Sequence, residues 1–355
     1  MTFEINWGIV GLGSIATKWA KELLTPNEER PTDIKHNLLA VSSSSNDKGE
    51  KFVNSLKEDT KTEDLNTQVY TDYEEFLNNS QIDIVYIASP NTAHYKQALA
   101  ALKANKNVLV EKTACMTAEQ AEVLYKLAKE KNLYIVEGVW TRFFPTTLDI
   151  IKLVKDDKIL GGLKRVSADL SHDFPFNPAD RIFDPKAGGG ALMDSLIYSL
   201  TWSFALLEGK PLADSIVSTV TKLKQEGFEN IDETTVISLV FPDQNAVGVA
   251  SGSLSIESPN EVLIEGENGY IRVLDRTSKP TIYTVKLKEQ QNKTVLKSVN
   301  GTGLFYEIDS VGYDLKNKKI TSDIYPFDQT IEILKIFDKV RKDHDITFPE
   351  KLLQI

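Results

Sequence analysis

The stretch INWGIVGLGSIATKWAKELL, residues 5–24, decides the fold. Trp7 to Val10 reads as a buried strand. Gly11, Gly13 and Ala16 follow with the spacing G-x-G-x-x-A, and Ile15, Trp19, Ala20 and Leu23 mark one face of a helix. Strand, glycine turn and helix in that order form the context of a dinucleotide fingerprint. Gly11 permits the turn, Gly13 leaves room for a pyrophosphate at the helix N-terminus, and Ala16 allows the helix to pack closely on the strand. Taken alone, the pattern is also compatible with a tight turn in another α/β domain.

Alternation continues outward from this point. Leu38 to Val41, Ile84 to Ala88, Val108 to Val110 and Leu133 to Val136 read as strands. Residues 73–77, 92–105 and the segment after Thr117, where Gln120 completes a capping box, read as helices. The segment TPNEERPTDIKHN, polar with two prolines, reads as a surface loop. Residues 1–140 therefore make an α/β Rossmann domain, with short right-handed crossovers. Residues 141–355 have another texture. Helical runs at 146–157, from about Gly190, at 303–318 and at 327–342 enclose strand-like runs at 163–171, 215–224, 234–240, 246–255, 261–266, 270–274 and 281–287. That order implies an α+β domain built on one large, mainly antiparallel sheet, with the C-terminal helix returning to the first domain.

The chain has 355 residues and a net charge of −10, from 41 Lys plus Arg against 51 Asp plus Glu. Such a balance argues against nucleic acid as a partner, since a duplex binder needs a basic footprint. No apolar run reaches the length of a membrane span, and no leader-like segment is visible at the N-terminus. One cysteine, Cys115, rules out an internal disulfide framework and reads as a small buried residue. A cytoplasmic protein is expected. The four histidines, 36, 94, 172 and 344, form no ligand cluster with Cys115, so no metal is expected.

Cofactor choice is expected where the second strand ends. An acid there would hold the ribose 2′-hydroxyl of NAD, but the residues are Ser42 to Ser45. Asp33 has the right distance from the fingerprint but precedes the strand. Ser43 and Ser44 as donors and Lys48 as a charge point to NADP, with NAD second. A plain serine turn is the alternative.

Five motifs in order resemble the Gfo/Idh/MocA oxidoreductases, nearest to the branch of dimeric dihydrodiol dehydrogenases and NADP-linked xylose dehydrogenases. They are GIVGLGSIA at 8–16, VYIASPNTAH at 85–94, VLVEKTACMTAEQA at 108–121, EGVWTRFFP at 137–145 and DPKAGGGALMDSLIYSL at 184–200. The resemblance implies that Glu111-Lys112 is the family's Glu-Lys-Pro motif, with Thr113 in place of proline, and that Lys112 reaches the nicotinamide and the reacting oxygen. It implies that Asp194 and Tyr198 complete the catalytic set. Spaced i, i+4, these two would share one face of a helix, which the glycines 188–190 let approach closely. Leu196 stands where relatives carry glycine. Tyr198 is the acid/base with Lys112 as its electrostatic partner, or the roles are reversed.

The cofactor contacts expected are Gly11, Gly13, Ser14, Ile15, Ser43, Ser44, Lys48, Ser89, Pro90, Asn91, His94, Glu111 and Lys112. Trp140, Arg142, Phe143, His172 and Arg181 are candidates for the substrate. The implied reaction is NADP-dependent hydride transfer with a small polyhydroxylated or dicarbonyl substrate, an aldose such as D-xylose or a trans-dihydrodiol. The rival is a catalytically silent NADP-binding regulator of the same fold. A homodimer is implied, paired through the second sheet. Its strand 236–241 has apolar residues on both faces, as a sheet covered on both sides requires.

Overall fold

The computed structural model describes residues 3–26, 30 and 32–355. The first unit alternates strands and helices: β1 (Phe3–Val10), α1 (Ser14–Leu23), β2 (Ile34–Ser42), α2 (Asn46–Thr60), β3 (Gln68–Tyr70), α3 (Tyr73–Asn78), β4 (Ile84–Ile87), α4 (Asn91–Lys103), β5 (Asn107–Glu111), α5 (Ala118–Lys131) and β6 (Ile135–Gly138). The six strands form one parallel sheet in the order β3-β2-β1-β4-β5-β6. Chain order reverses between β1 and β4, which opens a crevice at their carboxyl ends, where open α/β sheets bind ligands. Ile84 to Ile87 and Val108 to Val110 are wholly buried, as strands covered by helices on both faces must be.

β2 begins at Ile34 rather than Leu38, because Phe3 to Asn6 of β1 pair with Ile34 to Asn37. Part of the expected surface loop is therefore strand. Residues 27–29 and 31 of that loop lie outside the described residues.

The second unit opens with α6 (Pro145–Ile151) and β7 (Leu163–Ser171), then α7 (Ala191–Asp194) and α8 (Leu196–Leu206). The strands β8 (Val217–Lys222), β9 (Asp232–Phe241), β10 (Ala246–Ser253), β11 (Val262–Gly266), β12 (Gly269–Val273), β13 (Ile282–Leu287) and β14 (Lys293–Leu296) follow. With β7 they make an eight-stranded sheet, antiparallel except where β7 runs beside β10. The short edge strand β14 was not expected, since Lys293 to Leu296 carries no alternation and forms only by pairing with β13. The buried helix α8 packs on β7 and β10. On the opposite face Val217, Val236 and Val247 are exposed, while Ile237, Leu239 and Phe241 point inward. Among the described residues, helices therefore cover only one side of the sheet.

The last helices, α9 (Phe305–Lys316) and α10 (Phe327–Asp343), pack back on the first unit. Asp338 accepts from the Ala118 amide at 2.9 Å, capping α5, and Asp314 accepts from the Tyr134 hydroxyl at 2.9 Å.

A further difference concerns residues 190–206. They form two helices, not one, with Ser195 between them. The Tyr198 amide donates to Ser195 O at 3.1 Å rather than to Asp194 O. The Asp194 carbonyl, which an unbroken helix would consume, is thereby released.

Candidate active site

A cleft of about 480 Å³ lies at the carboxyl edge of β1, β4 and β5. Gly11, Gly13, Ser14, Ile15, Lys48, Ser89, Pro90, Asn91, His94, Glu111, Lys112, Arg181 and Tyr198 all line it. Residues from four of the five motifs thus meet in one place, joined by Lys48 and Arg181.

The glycine turn fits a dinucleotide. Gly11 has φ +84°, and a Cβ on it would stand 2.4 Å from the Ser89 amide nitrogen, so two loops touch there. At Gly13 a Cβ would meet nothing within 4 Å. Gly13 also begins α1 without a side-chain cap, leaving the helix's first amides open toward the cleft.

Where β2 ends, the serines divide their work. Ser43 is buried, with its amide bonded to Tyr70 O, and does not line the cleft. Ser45 caps α2 by accepting from the Lys48 amide at 3.3 Å. Ser44 stays exposed beside them. The run is a strand end and helix cap, with Ser44 and Lys48 as its available groups.

His94 is buried, and its two ring nitrogens lie 2.8 Å from Thr113 O and 2.7 Å from Ser89 O. It therefore ties the loop after β4 to the segment after β5. Burial first, then the charges of Lys112 and Arg181, push its imidazole below the ordinary value, against the pull of the two carbonyls.

The neighbours Glu111 and Lys112 serve different partners. Glu111 turns toward the sheet and accepts from the Tyr86 hydroxyl at 2.5 Å. Burial pushes its carboxyl up. Lys112 turns into the cleft, where its Nζ donates to Asp194 O at 2.8 Å and to Asp194 Oδ1 at 3.1 Å. Arg181 Nη2 donates to the same Oδ1 at 2.9 Å. Burial pushes the Asp194 carboxyl up, but the charges of Lys112 and Arg181 outweigh it and bring it down to about 2. Asp194 thus carries a full negative charge between two cations. The Lys112–Thr113 peptide bond is cis.

Tyr198 lies beneath this pair, with Lys112 Nζ 5.0 Å from its ring centroid. Burial, then the carboxyls of Glu111, Asp194 and Glu307, push its phenol well above the ordinary value. The Trp140 indole N–H faces the hydroxyl and opposes that rise without closing a hydrogen bond of its own. Leu196 is buried toward Gly252 in the sheet and does not line the cleft.

Three substrate candidates lie elsewhere. Arg142 is buried, its Nη1 bonded to Gln329 Oε1 at 2.8 Å and its Nη2 to Ile324 O at 2.6 Å, with the guanidinium over Tyr325. A buried guanidinium takes the acceptors that packing offers, and here they come from the start of α10. Phe143 is buried on the α9 side, among Phe305 and Tyr306. His172 follows β7 outward and sits against Phe174, 3.8 Å from Glu257. Of the five candidates, Arg181 lines the cleft and Trp140 reaches it through Tyr198.

Sequence reasoning missed three buried acids around the cleft. Glu137 accepts from the Ala114 amide, Tyr325 and Thr330 at 2.8–2.9 Å. Glu307 is buried with neither oxygen bonded among the described residues, and Asp232 underlies α7. The only local signal was the acid in the otherwise apolar β6.

Residues 5–138 match the oxidoreductase family with an NAD-binding Rossmann fold, and residues 149–272 match the GFO/IDH/MocA C-terminal domain. The chain is 32% identical to a D-xylose 1-dehydrogenase (NADP(+)) of Hypocrea jecorina, over 98% of this chain and 94% of that one. It is 27% identical to the human trans-1,2-dihydrobenzene-1,2-diol dehydrogenase, over 98% of each. Among solved structures, the aldose-aldose oxidoreductase of Caulobacter crescentus, complexed with glycerol, shares the fold with a TM-score of 0.80 at 21% identity, covering 96% of this chain and 97% of that one. The matches span both units and every motif that meets in the cleft, and the chain belongs to the Gfo/Idh/MocA family of oxidoreductases.

Proposed function

We propose that the protein is an NADP-dependent dehydrogenase. It moves a hydride between the nicotinamide and a small polyhydroxylated or dicarbonyl substrate, an aldose such as D-xylose or a trans-dihydrodiol. The observation that carries this reading is the placement of Lys112, Arg181 and Tyr198 in the same cleft as the glycine turn, with Asp194 bonded to both cations. Relatives that act on a sugar and on a dihydrodiol support the substrate class.

In this reading residues 1–140 hold the cofactor and residues 141–355 hold the substrate and pair the subunits. Gly11 to Ile15 and Ser89 to Asn91 cradle the dinucleotide, and Lys48 with Ser44 takes the 2′-phosphate. The bound cofactor accepts or gives the hydride. The chain handles the proton and the charge on oxygen. Tyr198, held protonated by burial first and then by its anionic surroundings, donates to the reacting oxygen in the reductive direction and takes the hydroxyl proton in the oxidative one. The Lys112 ammonium, fixed by Asp194, stabilises negative charge as it develops there. Arg181 and Trp140 bind substrate hydroxyls from the rim. A dimer forms through the exposed Val217, Val236 and Val247 face, whose burial removes apolar surface from water. The single buried thiol suits a cytoplasmic enzyme.

The test is absorbance at 340 nm with NADP or NAD and a panel of aldoses, inositols and trans-dihydrodiols, with dicarbonyls and NADPH in reverse. Turnover with NADP preferred is expected. Tight NADP binding without turnover on any substrate would favour the silent regulator instead.

A further inference from the structure

Asp232 opens β9, buried in the second unit and outside the cleft lining. Its Oδ2 accepts from the Leu192 amide at 2.6 Å and from Thr235 Oγ1 at 2.7 Å. Gly190 has φ +123°, and a Cβ on it would stand 1.9 Å from Asp232 Oδ1. The carboxyl is therefore seated where only glycine lets the chain pass.

What it holds is α7, a single turn of four residues. One turn has little stability of its own, because nucleation fixes several dihedrals for a single hydrogen bond. Its first amides also lack partners within the helix. Asp232 supplies one at the N-terminal end. At the other end stands Asp194, whose carbonyl and carboxylate hold Lys112. An apolar side chain would fill this position without the cost of a buried acid, but it could not accept from the Leu192 amide. Burial pushes the Asp232 carboxyl up to about 7, against the pull of Thr235, the Leu192 amide and the facing charge of Lys222.

We propose that Asp232 is a positioning residue for the reaction: through α7 it fixes Asp194, and through Asp194 it fixes Lys112. The sheet of the second unit thereby sets the geometry of a lysine carried by the first. The proposal rests on the reading of Lys112 as the working lysine.

The test labels Lys112 with trinitrobenzenesulfonate in the full-length protein, follows the labelled peptide by mass spectrometry, and measures kcat and KM beside it. In Asp232→Ala, Lys112 is expected to react several-fold faster. The expected kcat falls at least about tenfold while KM for NADP changes less than about twofold. Asp232→Asn keeps an acceptor oxygen and is expected to recover most of both. Gly190→Ala, which displaces the carboxyl from the other side, is expected to behave like Asp232→Ala. Should Asp232→Ala not fold, Thr235→Val loosens the carboxyl without touching α7 and is expected to show the same split in smaller degree. Unchanged Lys112 labelling in a folded variant overturns the proposal, as does an equal loss of kcat and NADP affinity. Labelling needs no turnover. An inactive parent protein whose Lys112 still responds to Asp232→Ala would overturn the functional reading and support the positioning role.

Discussion

Lys112 Nζ donates to Asp194 twice, to the backbone carbonyl at 2.8 Å and to the carboxylate at 3.1 Å. The first bond exists because the helix breaks at Ser195, and the second because Asp194 is partly buried and needs cations. Together they hold a flexible side chain in one place over Tyr198. A lysine so restrained loses little freedom when the substrate arrives.

Replacing Lys112 by Met keeps much of the stem and removes the charge. Turnover is expected to fall roughly hundredfold or more, while NADP binding, followed by protein fluorescence, stays within about threefold. Undiminished turnover would remove Lys112 from the mechanism.

The Asp194 carboxyl is held at about 2, below its ordinary 3.8. A depressed folded value contributes stability that is fully present above 3.8 and lost as pH falls through about 2. Its size is about 2 kcal/mol. Asp194→Asn is therefore expected to be less stable than the parent at pH 7, with the gap closing between pH 4 and pH 2. Urea unfolding across that range reads it directly, and a gap constant with pH would contradict the ion pairing.

Two glycines of the fingerprint should fail differently. Gly11→Ala places a Cβ 2.4 Å from a backbone atom at positive φ, so a loss of about 2–4 kcal/mol in stability is expected. Gly13→Ala meets no protein atom within 4 Å. Its melting temperature is expected to hold while NADP affinity falls about tenfold, a cost of about 1.4 kcal/mol. Thermal melts with and without NADP separate the two.

Lys48 lines the cleft at the start of α2, where the 2′-phosphate is proposed to sit. Lys48→Glu is expected to weaken NADP about tenfold and leave NAD nearly unchanged. Equal effects on the two cofactors would place the 2′-phosphate elsewhere.

Arg142 bridges the turn after β6 to α10. Arg142→Met is expected to lower stability by about 2–4 kcal/mol, because Gln329 and the Ile324 carbonyl lose a buried charged donor. Substrate KM should change less than about twofold. A large KM increase at unchanged melting temperature would return Arg142 to the substrate site.

What the sequence determined by itself was the local and periodic part. The order of strands and helices in the first unit apart from the three-residue β3, the glycine turn, the strand end carrying Lys112 and most strands of the second sheet were legible. Each follows from spacing within a dozen residues, where apolar period, glycine and capping residues act on the chain directly. The motifs that meet in the cleft were legible because a parallel sheet brings its strand ends to one edge. Only the tertiary structure decided which side chains turn inward. Glu111 faces Tyr86 and Lys112 faces Asp194, Arg142 is spent on α10, and His172 swings out to Glu257. It also decided that the apolar run at 190–206 breaks, with the amide of Leu192 in the first turn donating to Asp232, forty residues further on. These outcomes depend on acceptors and charges from distant segments, and a buried polar group goes wherever packing leaves it a partner.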